Sequence, residues 1–397
     1  MMEPIKLVDN IHLLCVNDRR THLFENYWPL PNGVAYNSYL IVDEKTALVD
    51  TVEFGHSFGY LEHIENLLNG KTLDYLIINH MEPDHSGAIK MIIDRYPKCI
   101  IVGNRKTFPL IEGFFGVKTE QLVVEDGALL NLGKHKLSFH MIPMVHWPET
   151  MVTFDATSQI LFSGDAFGSF GTLDGGVFDH EINLDFYESE FRRYYSNIVG
   201  KYGMQVQKAL AKLGGLPIKI LASTHGPIWR SNLSYILEKY DMWSKYQAEE
   251  KGVIIVYGSM YGNTERMAES IARELSVQGV KNIKIFDASK THSSYIISDI
   301  WKYSGLIIGS CAYNGGIFTP VGNLINQLHE IGLKNRHVAL FGSSSWGGGG
   351  LRVLEKWAET MSFEPVGPKP EARCAPKAND IQECKEIARA MAKVILA

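Results

Sequence analysis

The chain has 397 residues, 45% of them hydrophobic and 21% charged, with 36 glycines against 15 prolines. That mixture excludes a disordered or collagen-like polymer and, at ~100–200 residues per domain, implies two or three domains. A net charge of −5 and a pI near 6.3 argue against a general nucleic-acid or membrane-surface binder, which would carry a basic face.

From the N-terminus, apolar or alternating runs at 11–16, 36–42 and 47–52 predict strands. Helix-like stretches follow, with further strand runs at 75–78, 100–102, 137–142, 151–154, 159–162 and 218–222. Strands first and strand–helix alternation later predict two sheets with helices outside them. Residues 232–251 read as a polar-faced helix leading out of the first domain, broken at Gly252. The pattern then changes to a strand over 253–257, a helix ending near 277, strands at 283–286, 306–308 and 338–341, and a last helix over 381–396. This rhythm fits a doubly wound parallel sheet. The expected domains are 1–250 and 251–397.

No apolar run reaches the ~18–20 residues that span a bilayer. The start, Met1 to Lys6, lacks the basic-then-apolar layout of a signal peptide, so a cytoplasmic location is expected. Cys15, Cys99, Cys311, Cys374 and Cys384 are scattered and form no Cys-x-x-Cys pair. That excludes a disulfide scaffold or a thiolate metal site, leaving histidine and carboxylate for any metal chemistry.

Such side chains cluster in His80-Met81-Glu82-Pro83-Asp84-His85, just past the run at 75–78. His146, Asp165 and His225 follow other predicted strands, where sheet proteins tend to place their chemistry. The second domain opens with Tyr257-Gly258-Ser259-Met260-Tyr261-Gly262-Asn263-Thr264 between a strand and a helix. Small residues there let backbone N–H groups and the helix N-terminus form an anion cradle, with Ser259, Asn263 and Thr264 as side-chain donors. Cys311-Ala312-Tyr313-Asn314-Gly315 and Ser343-Ser344-Ser345-Trp346-Gly347 follow two further strands and would meet the first loop at one sheet edge. Tyr313 and Trp346 could stack on a flat ring.

The metal set resembles the metallo-β-lactamase superfamily, whose His-x-His-x-Asp-His run here has Glu82 at its second histidine. An added carboxylate favours iron over zinc. With His146-Trp147-Pro148, Gly164-Asp165 and a following domain whose first loop looks like the phosphate loop of flavodoxins, the chain resembles the flavodiiron proteins over nearly its whole length. The resemblance implies an N-terminal αββα metallo-β-lactamase-like sandwich and a C-terminal flavodoxin-like sheet carrying FMN. It implies one iron on His80, Glu82 and His146, a second on Asp84, His85 and His225, and Asp165 bridging them. In some members the histidine matching His85 does not bind metal. His22 is a candidate for the distal pocket. Relatives often read Gly-Ser-Pro-Thr in the second flavin loop and Tyr-Gly-Trp in the third, where this chain has Gly309-Ser310-Cys311-Ala312 and Ser344-Ser345-Trp346.

The implied activity is reduction of dioxygen to water, of nitric oxide to nitrous oxide, or both. Electrons would come from rubredoxin, a rubredoxin-like reductase or a reduced deazaflavin, since the chain carries no rubredoxin module. A head-to-tail homodimer, or a tetramer, would bring the FMN of one subunit to the iron site of another. The competing readings are a binuclear metal hydrolase with an attached flavodoxin module and a non-catalytic electron carrier.

Overall fold

The computed structural model describes residues 2–397. The chain forms two compact units, Met1–Asp241 and Met242–Ala397. The division expected after residue 250 therefore lies after Asp241, inside the helix Leu233–Ser244. That helix is shorter than the expected 232–251, because Glu250 already opens the strand Glu250–Gly258 and pairs with Tyr303. Gly252 does not break a helix. It lies in this strand, where a Cβ would come within 2.4 Å of the Tyr303 ring.

In the first unit a seven-stranded sheet has the order Ile5–Val8, Ile11–Asp18, Val34–Val42, Thr46–Val49, Tyr75–Ile77, Ile100–Gly103, Gln121–Val123. Its first four strands are antiparallel, and pairing is parallel from Thr46–Val49 onward. A five-stranded sheet runs Leu129–Asn131, Lys136–Met141, Met151–Asp155, Ile160–Gly164, Ile220–Ser223, with only the last pair parallel. Alternate residues of both sheets share one core: Leu13, Tyr39 and Ile77 meet Phe139, Phe162 and Ala222. Helices cover the outer faces. Ser57–Leu68, for example, buries Tyr60, Ile64 and Leu68 at four-residue spacing.

The second unit has five parallel strands in the order Ile283–Asp287, Glu250–Gly258, Tyr303–Tyr313, His337–Ser344, Glu371–Arg373. In chain order this is 2-1-3-4-5, the flavodoxin-like winding. Both faces are covered, which is why its strands read as unbroken apolar runs. Ile255, Ile307 and Phe341 pack on helices Asn263–Val277 and Ala378–Leu396. Two strands run past their expected ends, to Tyr313 and Ser344, because Cys311 still pairs with Ser343. Among the described residues no helix is long and apolar enough to cross a membrane.

Gly309 sets the clearance between the two central strands: a Cβ there would lie 2.1 Å from the Phe341 ring. Gly309→Ala should therefore destabilise this unit by about 1–3 kcal/mol through overpacking. Urea denaturation followed by flavin fluorescence measures it, and an unchanged midpoint would contradict the close packing.

Candidate metal centre and flavin cradle

Each predicted metal residue lies just beyond a strand. Past Tyr75–Ile77 the chain turns through a one-turn helix, Pro83–Ser86, that starts on a proline suited to that position and carries Asp84 and His85. Past Ile160–Gly164 comes Asp165. There the pairing with Ile220–Ser223 slips between Phe162 and Gly164, and Gly164 has φ +58°. A bulge closed by a left-handed glycine re-aims the next side chain, here Asp165, into the site. His225 follows the partner strand, and His146 follows Lys136–Met141.

These seven side chains converge on the two oxygens of Asp165. Asp165 Oδ2 lies 3.1 Å from His146 Nε2 and 3.5 Å from His80 Nε2. Glu82 Oε2 closes that side, 3.0 Å from His146 Nε2 and 3.6 Å from His80 Nε2. Asp165 Oδ1 lies 3.0 Å from His85 Nε2 and 3.4 Å from His225 Nε2. Asp84 completes the second side, 3.1 Å from His225 Nε2 and 3.5 Å from His85 Nε2. His80, Glu82, His85 and Asp165 form one group able to hold a metal ion, and Asp84, His85 and His225 form another. Buried Nε2 atoms of His80, His85 and His225 and both Asp84 oxygens have no hydrogen-bond partner. Orphaned buried donors and acceptors are rare, and a set of imidazole nitrogens and carboxylate oxygens around two points fits two hard-to-borderline cations.

Burial alone would push the His146 and His225 imidazoles down. The close carboxylates, Asp165 with Glu82 and Asp165 with Asp84, outweigh it and carry them to about 9 and about 10. Burial would likewise raise Asp165, yet His85, His146 and His225 hold it well below the usual carboxylate range.

Several residues that orient this cluster were not singled out from the sequence. Glu149 Oε1 sits 2.6 Å from His80 Nδ1 and accepts the Met81 N–H at 3.0 Å. Ala35 supplies a carbonyl 2.9 Å from His225 Nδ1. Thr224 Oγ1 donates to Asp165 Oδ1 at 2.7 Å. Buried Asp50 accepts the Asn79 N–H and Nδ2 at 2.8 and 3.1 Å, fixing the base of the loop that carries His80. Tyr194 places a buried hydroxyl without a partner beside the centre, its ring 5.6 Å from that of His225. A cleft of about 760 Å³ reaches Glu82 and Asp84 between Phe24, Tyr36, Phe54 and Phe115. Thr21 and Leu23 line this cleft, but His22 does not. It is exposed, and its carbonyl accepts the Leu30 N–H.

In the second unit Ser259, Met260, Asn263, Cys311, Ala312 and Ser343 line one cradle of about 150 Å³, together with Ser344 and Ser345. Gly262 precedes helix Asn263–Val277 at φ +81°, and Thr264 Oγ1 lies 2.9 Å from Ser343 Oγ at its base. Ser259 Oγ is buried with no protein partner, as a hydroxyl that serves a bound anion would be. Tyr313, Asn314, Gly315, Trp346 and Gly347 do not line the cradle. Tyr313 and Trp346 stand out from it, 44% and 81% exposed. Cys374 joins the lining unforeseen, because the short strand Glu371–Arg373 pairs beside Gly342–Ser344.

Comparison with known proteins agrees with this architecture. Residues 34–226 match the ODP family beta lactamase model, and residues 255–387 match Flavodoxin. A nitric oxide reductase of Moorella thermoacetica is 31% identical over 99% of both chains. The structure of rubredoxin oxygen:oxidoreductase from Desulfovibrio gigas superposes with a TM-score of 0.94 at 30% identity, covering 99% of this chain and 98% of that one. A variant of the flavo di-iron protein from Thermotoga maritima gives 0.91 at 26% identity with the same coverage. End-to-end similarity in sequence and fold, across both units, shows that this chain belongs to the flavodiiron proteins.

Proposed function

We propose that His80, Glu82 and His146 hold one iron, Asp84, His85 and His225 the other, and Asp165 both, with FMN seated on the cradle around Ser259 and Ser343. The observation that carries this assignment is the division of Asp165, one oxygen turned to each group. The chain is an FMN- and diiron-dependent oxidoreductase acting on dioxygen, nitric oxide or both, and neither the hydrolase nor the carrier reading is favoured by its relatives. When bound, the irons and the flavin supply the electrons. Glu82, Asp84 and Asp165 lower the net positive charge and so favour the ferric state. Phe24, Phe54 and Phe115 give a small apolar gas an apolar approach, and Tyr194 sets an O–H near the centre.

An external rubredoxin-type donor is the reading the relatives favour. Large apolar side chains that line the cleft stand exposed: Leu23, Phe54 and Phe114. Met260, Tyr261, Tyr313 and Trp346 do the same around the flavin cradle. Patches of this kind mark interaction sites. We assign them to a head-to-tail homodimer that covers one with the other. Turnover per chain should then fall on dilution. A monomer with full activity would contradict the pairing.

His146→Asn should lower the iron content and cut gas consumption by at least about ten-fold, a loss already expected for an outer partner of a ligand. Flavin absorption should remain. Stopped-flow mixing of the reduced chain with each gas measures this, and unchanged consumption would sink the ligand assignment.

The raised histidines also set a pH dependence. A folded-state pKa raised above the ordinary 6.5 contributes stability that is complete below that value and disappears as pH climbs through about 9–10. Lowered Asp165 contributes stability present above the ordinary 3.8 and lost as pH falls. The metal-free chain should thus melt at lower temperature above about pH 9. Iron requires neutral imidazoles, so its uptake should release protons and tighten with rising pH over the same window. Calorimetric scans of metal-free and loaded protein provide the check. A flat melting temperature for the metal-free chain above pH 9 would be the contrary result.

A further inference from the structure

The two metal positions have matching inner donors: each has two histidines, one carboxylate of its own and one oxygen of Asp165. Their outer partners differ. On the first position, His80 Nδ1 meets Glu149, a buried carboxylate, at 2.6 Å. On the second, His225 Nδ1 meets only a neutral carbonyl, Ala35 O, at 2.9 Å. His85 Nδ1 is buried with no hydrogen-bond partner. A ring N–H donating to an anion sends more electron density to the opposite nitrogen than one donating to a neutral group. His80 Nε2 is therefore the stronger donor.

A second observation acts in the same direction. Asp165 Oδ1, the oxygen facing His85 and His225, accepts the Thr224 hydroxyl at 2.7 Å. Asp165 Oδ2, facing the first position, meets only the ligand imidazole rings in the contacts the structure gives it. A hydrogen bond withdraws density from the oxygen that accepts it, so the bridging carboxylate also gives less to the second position.

Resting on the ligand assignment above, we infer that Glu149 and Thr224 hold the two irons at unlike potentials in a fixed order. The ion at His80, Glu82 and His146 is oxidised first and carries the ferric charge of the half-oxidised centre. The ion at Asp84, His85 and His225 stays ferrous longer. Glu149 and Thr224 are the positioning residues that set this order, acting through His80 and Asp165. In the step concerned, a loaded diferrous centre would give one electron to a one-electron chemical oxidant such as ferricyanide, and no bond to the protein would be made or broken.

The test is a redox titration of iron-loaded full-length protein, with the half-oxidised centre read by electron paramagnetic resonance. Glu149→Gln keeps the shape and removes the charge, and it should raise the lower of the two midpoint potentials. Thr224→Val removes the hydroxyl donor and should lower the upper one. Both variants narrow the interval between the couples, from opposite ends, which a general loosening of the site would not do. Equal shifts of both couples in Glu149→Gln, or a shift of the upper couple alone, overturn the inference. Should a variant lose iron, Mössbauer spectra of half-oxidised wild-type protein decide. Separate ferric and ferrous doublets of equal area support the inference, and one averaged doublet overturns it. Wild-type protein with fewer than two irons per chain would instead overturn the ligand assignment itself.

Discussion

One carboxylate organises the first unit. Asp165 is fully buried and touches four histidines from three other segments of the chain. Buried charge is tolerated only when paired, and removing one partner of such a set leaves an uncompensated charge. The two-sheet sandwich must therefore hold its register tightly. A slip of one residue would turn every inward side chain outward. The bulge between Phe162 and Gly164 aims Asp165, and the Asp50–Asn79 bonds and Thr51 N–H to His85 carbonyl bond anchor the loop opposite it. The cluster's geometry is thus fixed from the sheet rather than from the loops themselves.

The second unit meets the opposite electrostatic demand with almost no side-chain charge. No lysine or arginine lines the flavin cradle. The work falls to hydroxyls, backbone N–H groups and the positive end of helix Asn263–Val277. Parallel pairing makes this possible, because adjacent rungs Tyr257, Gly309 and Phe341 bring three loops to the same edge. Gly309 shows the packing cost of that arrangement: its strand can lie against Phe341 only without a side chain.

The clustered residues were legible in the sequence because several follow an apolar run, so local pattern and chemistry coincide at His80, Asp165 and His225. The central strands were legible for the same reason. Edge strands such as Gln121–Val123 and Leu129–Asn131 were not, since they are short and mostly exposed and carry no sustained period. The exit helix was read too long because its polar run continues past Ser244 into a strand whose first residues are exposed. Glu149 stood in plain view beside His146, yet its partner His80 lies 69 residues away, and no spacing rule links them. The Ala35 carbonyl is invisible in principle, because every residue has one. His22 misled because a histidine near a pocket in sequence need not face it, and Phe24 turns inward instead.

What remains is why this sandwich does redox chemistry when related folds hydrolyse. The answer turns on Glu82, which occupies the place of an imidazole within 3.0 Å of His146 Nε2. With it, three carboxylates would face the two metal ions. Moving both ions from the +2 to the +3 state then raises the net charge of the centre from +1 to +3. With a neutral imidazole in its place, the same change would run from +2 to +4. In a buried, weakly screened site that difference is large. Zinc, which does not change charge, gains nothing comparable from the extra carboxylate. As a ligand, Glu82 would thus favour a centre that exchanges electrons, the chemistry to which an attached flavin sheet contributes.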